Sequence, residues 1–326
     1  MKNYSPSISV ILCGYNAAET LPLTIDSLSN QSFSDFEVLA IDDGSTDDTF
    51  DVLCIYKACE PRLKILQNLG NRGIAFSRQR GLDESNSDLV MFIDADDIAE
   101  PNLIKRLYET ISTDEKLIGV GCRATYFMDN ERKLGTQCLG PESRLEFERI
   151  FRENKLLFMV PCTLFRKVDA LAVGGYNQNV ININSDIRYQ DYSEDTDLWN
   201  RMADLGSKGR YFVTIPENLY RYRKSLNSLS TKNLFVNQLK MRWIKNSLHN
   251  RRSGRQELSL VEFVASRTNC QRVVDWFSDN AAMFFKRAGF SYANRNYFKL
   301  VFYLLLAALL SPKLIKQKIY TQKVYR

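Results

Sequence analysis

The strongest constraint on this chain is where its aspartates fall relative to its short apolar runs. Phe36 to Ile41 passes directly into Asp42-Asp43-Gly44-Ser45, and Leu89 to Ile93 passes directly into Asp94-Ala95-Asp96-Asp97. Apolar runs of this length, without alternation, read as strands buried on both faces of a parallel sheet. Ile8 to Leu12 and Leu63 to Gln67 are two more. Helical patterns lie between them: Ala18 to Ser29 with Leu21, Ile25 and Leu28 on one face, Thr46 to Cys59, and Ala75 to Ser85. Strand and helix alternate about every 25 residues, so an α/β fold with a parallel sheet is predicted for the first hundred residues. In such sheets ligands bind beyond the carboxyl ends of the strands, which puts both aspartate clusters on one rim.

Carboxylates this dense repel one another unless a cation neutralises them. Oxygen-only donors favour Mn²⁺ or Mg²⁺, and a metal held by one or two carboxylates, with water and phosphates completing its shell, suits Asp94-Ala95-Asp96. Asp-rich strand ends also serve as helix caps and solvated turns. Two clusters at equivalent strand ends weigh against that simpler reading. A third cluster, Ser193-Glu194-Asp195, opens a helical pattern reaching Leu205, with Leu198, Met202 and Leu205 as its apolar stripe. Ser193 can cap this helix and the carboxylates suit its positive end. One of them can equally take a proton from a hydroxyl.

Further along, a strand and turn are expected from Gly119 to about Asp129, and a helix from Glu142 to Lys155. Asn177 to Tyr192 is polar and rich in Asn, which suits a surface loop near a site. Beyond Ser230 the pattern is helical only. His249 is the one histidine, so a histidine metal cluster is excluded and acid–base work falls to carboxylates. The seven cysteines match no zinc spacing and read as reduced, mostly core thiols of a cytoplasmic protein. Met1 to Pro6 is too short and polar for a signal peptide. The apolar stretch Val301 to Leu310 spans ten residues, half of what a membrane-crossing helix needs, at roughly 20.

The motifs, taken in order, resemble those of family 2 glycosyltransferases. The similarity runs through Ser9 to Asn16, Asp42 to Asp47, Asn68 to Gly73, Arg78, Gly81-Leu82, Asp94 to Asp97 with Pro101, Gly174-Gly175-Tyr176, Glu194 to Trp199 and Tyr220-Arg221. It covers about residues 7 to 230. The resemblance implies a GT-A nucleotide-sugar-binding fold, a Rossmann-like mixed and mainly parallel sheet. It also implies an inverting reaction and a divalent metal. Residue by residue, it implies that Tyr15 lies against the uracil or ribose and that Asp43 bonds the base. Asn71 and Arg78 would contact the nucleotide, Asp94 the ribose or a metal-bound water, and Asp96 the metal. Asp195 would be the general base, with Glu194 beside it orienting the acceptor or the loop. Two departures stand out: Cys13-Gly14 replaces the usual Pro-Thr, and Gln79 stands where Asn often follows the arginine. Arg223 occupies a position where the family often has His, in a segment lying over the diphosphate. Its guanidinium can neutralise that group bidentately, or it can be a solvated strand edge. The implied partners are a nucleotide-sugar donor, UDP-linked by expectation, and a saccharide or lipid-linked saccharide acceptor of surface polysaccharide or lipopolysaccharide.

The domain reading is a catalytic domain over residues 1–230 and a helical, basic region over residues 231–326. From Asn237 to Arg326 there are 17 Lys and Arg against four acidic residues, a local charge of +13 in a chain of net +6. The apolar segment Tyr297 to Leu310 is followed by Lys313, Lys316, Lys318, Lys323 and Arg326 with no acid among them. Such a segment suits either an anionic membrane surface on the cytoplasmic face or packing against the protein core. A nucleic-acid partner is disfavoured, because the cations are not interleaved with aromatics in a recognisable module. Two other functions fit the sequence less well. A sugar nucleotidyltransferase needs a cationic phosphate loop after the first strand, and Cys13 to Glu19 has no cation. A non-catalytic nucleotide-sugar-binding relic would not need the full carboxylate set.

Overall fold

The structure, a computed structural model, describes residues 6–128, 132–179, 183, 187–224 and 233–316. The end of the expected strand at Asp129, part of the Asn-rich loop, and Lys318, Lys323 and Arg326 lie outside the described residues.

The parallel half of the sheet is built from β1 (Ile8–Gly14), β2 (Phe36–Asp42), β3 (Leu63–Gln67) and β4 (Leu89–Asp94), in the order β3-β2-β1-β4. Every residue of β2 is buried, and in β1 all but Gly14. Two-sided burial is why these strands read as unbroken apolar runs. The crossovers carry α1 (Leu21–Ser29), α2 (Thr49–Cys59) and α3 (Ile74–Glu84). α1 and α2 start later than their sequence patterns suggest, because the residues just before them tie two loops together. Ala17 N donates to Thr49 Oγ1 (2.8 Å), and Thr46 N donates to Asn16 Oδ1 (2.8 Å).

The sheet continues through β8 (Leu164–Arg166), antiparallel to both β4 and β6 (Leu117–Phe127). β6 pairs parallel with β9 (Tyr211–Arg223), and the short β5 (Ile98–Ala99) and β7 (Lys133–Gln137) pair antiparallel with β9 and β6 respectively. Helices α4 (Leu103–Ile111), α5 (Arg144–Arg152), α6 (Lys167–Ala172) and α7 (Glu194–Ala203) complete this part. The sequence pattern offers here only a strand edge at Arg223, and the structure extends β9 back through Pro216, a residue disfavoured in a ladder strand. The structure absorbs it in a bulge. Cys122 pairs with Ile215, the next residue Arg123 pairs with Asn218, and Pro216 and Glu217 fall between. Trp199 is buried among Phe165 and Phe212, with ring centroids at 5.1 and 6.0 Å, fixing α7 on the sheet.

Beyond β9 come α8 (Leu234–Arg252), α9 (Leu260–Ser266), α10 (Asn269–Ala293) and α11 (Tyr297–Leu310). The chain divides into two compact units, residues 1–226 with 244–257, and residues 227–243 with 258–326. In the second unit, capping boxes open α9 (Ser259 with Glu262) and α10 (Thr268 with Gln271). Arg242 pairs with Asp275 at 3.1 Å and also with Asp279, and Phe284 of α10 stacks on Tyr303 of α11 at 6.1 Å.

The cysteine reading needs correcting. All seven are free thiols, but only Cys13, Cys122 and Cys162 are buried; Cys54, Cys59 and Cys270 are exposed and Cys138 is half-buried. α2 turns Thr49 and Leu53 inward, which leaves Cys54 and Cys59 on its outer face.

Candidate active site

β1 is flanked by β2 and β4 with Gly14 opposite Asp42 and Cys13 opposite Asp94, so both aspartate clusters leave the same end of the sheet. Asp42 is fully buried and shapes its own turn, accepting from Ser45 N (3.0 Å) and Gln67 Nε2 (2.9 Å). Asp43 organises the next loop. Its Oδ1 accepts from Asn68 Nδ2 (2.6 Å) and Arg72 N (2.9 Å), and its Oδ2 from Gly73 N (2.8 Å). Tyr15, on the loop after β1, is 47% exposed. The two loops are clipped together where Asn16 N donates to Ser45 Oγ (2.9 Å). Asn71 accepts at its carbonyl from Arg188 Nη1 (3.0 Å), with Arg188 Nη2 on its Oδ1.

Arg78 is the hub. It projects from α3, is 5% exposed, and donates from Nη2 to Asp94 Oδ1 (2.7 Å) and from Nη1 to Glu194 Oε1 (2.6 Å). Burial works against its charge, yet the carboxylates of Asp94 and Glu194 outweigh that and raise its pKa above the ordinary arginine value. Burial pushes Glu194 up to about 8, against the pull of Arg78 and with the Asp195 charge adding to it. Asp195 follows in the first turn of α7, its Oδ1 accepting from Thr196 N (2.6 Å). Beneath them, burial pushes the Cys13 thiol up to about 12, tempered by Arg78 and reinforced by the charges of Asp94, Asp43 and Glu194. The Cys13 thiol therefore sits amid these four groups as a neutral S–H.

The turn after β4 assigns different jobs to its aspartates. Asp97 is 1% exposed; its Oδ2 accepts from Tyr220 Oη (2.6 Å) and its Oδ1 from Arg223 N (2.7 Å). Burial, then the charges of Asp96 and Asp94, raise its pKa well above the carboxylate range. Asp96 is half-buried, and its carbonyl accepts from Arg223 Nε (2.8 Å). Arg223 also lies over the Phe127 ring at 4.7 Å. It is thus a buried strand-end residue held to the aspartate turn, not a solvated edge.

Several contributors escaped the sequence reading. Asp191, in a single 3₁₀ turn (Tyr189–Asp191), accepts from Ala75 N (3.0 Å) at the start of α3. A Cβ on Gly73, whose φ is +95°, would meet Asp191 Oδ2 at 2.1 Å, so only glycine fits between the two loops. Gln79 receives Tyr176 N at its Oε1 (2.7 Å), which explains a second glycine: a Cβ on Gly175 (φ +62°) would strike that oxygen at 2.3 Å. Tyr176 packs edge-on against Phe92, and its buried hydroxyl has no hydrogen-bond partner among the described residues. Of these, Gly73, Gln79 and the paired glycines before Tyr176 stood within motifs the sequence displays, whereas Asp191 was not singled out.

Among the described residues no group of three or more His, Cys, Asp or Glu side chains is arranged around a common metal position. The oxygen-only set of Asp94 and Asp96 still fits a hard divalent cation. Their charges crowd Asp97, the kind of field such an ion relieves.

The sequence profile of Glycosyl transferase family 2 matches residues 9–173 of this chain. The chain belongs to glycosyl transferase family 2. As a member of that family it is a transferase enzyme. It is 27% identical over 234 residues to an "Uncharacterized glycosyltransferase" of Haemophilus influenzae, covering 69% of this chain and 68% of that protein. Among solved structures, S. aureus TarS in complex with UDP-GlcNAc superposes with a TM-score of 0.54 at 15% identity, covering 91% of this chain and 90% of that one. The mannosyltransferase PcManGT from Pyrobaculum calidifontis, in complex with GDP-Man and Mn²⁺, superposes with a TM-score of 0.53 at 16% identity, covering 95% and 89%. The mixed sheet of this family 2 glycosyltransferase is therefore a GT-A fold, with additional C-terminal helices.

Proposed function

We propose that this enzyme transfers a sugar from a nucleoside diphosphate, UDP by preference, to an acceptor hydroxyl with inversion at the anomeric carbon. The observation that carries this reading is the Asp94–Arg78–Glu194 chain, which links the strand end expected on the donor side to the helix start expected on the acceptor side. Tyr15 offers its exposed ring to the base or ribose. Asp43 Oδ2 accepts one hydrogen bond and retains capacity for a base N–H while it holds the loop that carries Asn71. Arg78 contributes fixed positive charge on the nucleotide side. Arg223, pinned to the aspartate turn, would face the diphosphate. Asp96, with Asp94, would hold Mn²⁺ or Mg²⁺, which when bound neutralises charge developing on the departing diphosphate.

In the reaction, the acceptor oxygen forms a bond to the anomeric carbon as the bond from that carbon to the diphosphate oxygen breaks. Asp195 takes the hydroxyl proton and the nucleoside diphosphate leaves with the bonding electron pair. A single displacement of this kind inverts the centre; retention would need a second carboxylate placed as nucleophile. Glu194, tied to Arg78, orients the acceptor or the loop beside Asp195. We assign the catalytic work to residues 1–230 and place it in the cytoplasm, with a saccharide or lipid-linked saccharide of a surface polymer as acceptor. Incubation of the protein with Mn²⁺ and a panel of nucleotide sugars tests this: release of the nucleoside diphosphate supports it. Pyrophosphate release, or tight donor binding without turnover, overturns it.

A further inference from the structure

α11 is 14 residues long and apolar around nearly its whole circumference. Its inner face is accounted for: Ala307 is fully buried and Tyr303 stacks on Phe284 of α10. At 100° per residue, Phe298, Val301, Phe302, Leu305 and Leu309 fall on the opposite side as one stripe. All five are exposed, Phe298 by 85%, Leu305 by 65% and Leu309 by 79%. A helix facing only water would carry polar groups there. Continuous side chains of this size, outward-facing, mark an interaction surface.

The charge around the stripe selects the partner. From Asn280 to Arg326 the chain contains no Asp or Glu. Arg295 and Lys299 flank the start of α11, Lys313 and Lys316 lie beyond its end, and all four are exposed. A second copy docked on this stripe would bring these like charges together, whereas anionic lipid headgroups would pair with them. Its 14 residues rise about 21 Å against a hydrocarbon core of about 30 Å, and no helix among the described residues is long and apolar enough to span. A short apolar face between cations instead lies flat at the headgroup boundary.

We infer that the outward stripe of α11 docks on an anionic lipid surface, with Arg295, Lys299, Lys313 and Lys316 engaging headgroup phosphates. This does not depend on the donor chemistry, and its test reads binding alone. Full-length protein is floated in a density gradient with vesicles of equimolar phosphatidylglycerol and phosphatidylcholine, and separately with phosphatidylcholine alone. The wild type is expected to float with the anionic vesicles and largely to sediment with the neutral ones. Phe298→Ser, Leu305→Ser and Leu309→Ser together should lower the bound fraction by more than about tenfold while leaving the circular dichroism spectrum and melting curve unchanged. Lys313→Gln with Lys316→Gln, which leaves the stripe intact, should weaken binding to anionic vesicles and make what remains less sensitive to salt. The inference fails if the wild type floats with neither vesicle or equally with both. It also fails if the triple variant floats like the wild type, or if the stripe changes convert a dimer to a monomer in sedimentation equilibrium without any flotation to lose.

Discussion

Arg78 and Glu194 are 116 residues apart in sequence, yet their Nη1 and Oε1 atoms meet at 2.6 Å inside the protein, and the same guanidinium holds Asp94 at 2.7 Å. This one arginine makes the end of β4 and the start of α7 parts of a single site. Removing it leaves two carboxylates crowded and partly buried without compensation. Arg78→Ala is expected to destabilise the protein by about 3–5 kcal/mol, read by chemical denaturation. Arg78→Lys keeps the charge but has no planar fork to reach both partners, so its donor affinity should fall even where the fold survives.

The assignment of Asp96 predicts that Asp96→Ala abolishes metal-dependent UDP binding. Isothermal calorimetry with Mn²⁺ and UDP checks it, and an unchanged affinity would move the cation elsewhere.

Asp195→Asn should retain donor binding and lose transfer by about 10²–10⁴-fold, the range for removal of a general base. Near-normal turnover at saturating acceptor would place the base on another residue.

Glu194 gives a pH signature. Its pKa is raised by burial to about 8 from the ordinary 4.5 of a free carboxyl. The folded state therefore binds more protons than the unfolded chain between those values, so the contribution to stability is fully present below pH 4.5 and is lost as pH rises towards 8. Glu194→Gln lacks this term. Melting temperatures measured across that window should fall more steeply with pH for the wild type than for the variant; parallel curves would show that Glu194 ionises as an ordinary carboxyl.

Gly73 and Asp191 supply a test of the seam between the two loops. Gly73→Ala should cost at least about 1–2 kcal/mol from its positive φ alone, plus the clash with Asp191. Shortening Asp191 to Ala in the same chain should relieve the clash, so the double variant is less destabilised than the sum of the singles. Strict additivity would mean that the two residues do not press on one another.

Much of this was legible in the sequence because unbroken apolar runs between helical patterns specify a parallel sheet, and the rim follows from the sheet. That is how Asp43 and Asp94 could be placed on one rim, whereas Arg78 entered only through the resemblance to the family's motifs. Beyond a strand edge at Arg223, β9 was not legible: proline is disfavoured in a ladder strand, and the bulge that tolerates Pro216 is a property of the pairing with β6. Asp191 was hidden for another reason. Its role depends on a backbone N–H at Ala75, 116 residues away, and on the absence of a side chain at Gly73, neither of which leaves a periodic trace near position 191. The split of labour within Asp94 to Asp97 was equally invisible, since it is set by which carboxyl the sheet swallows.

Asp97 has one more implication. With Tyr220 and the Arg223 amide both hydrogen-bonded to its buried carboxyl, and Arg223 Nε reaching back to the Asp96 carbonyl, the far end of β9 is riveted to the turn that carries Asp96. The two cannot drift apart on their own. A substitution anywhere along β9 that shifts its last residues is passed on to the turn that carries Asp96, and on the proposed function a phosphate contact at Arg223 and a cation seat at Asp96 would move as one mechanical part.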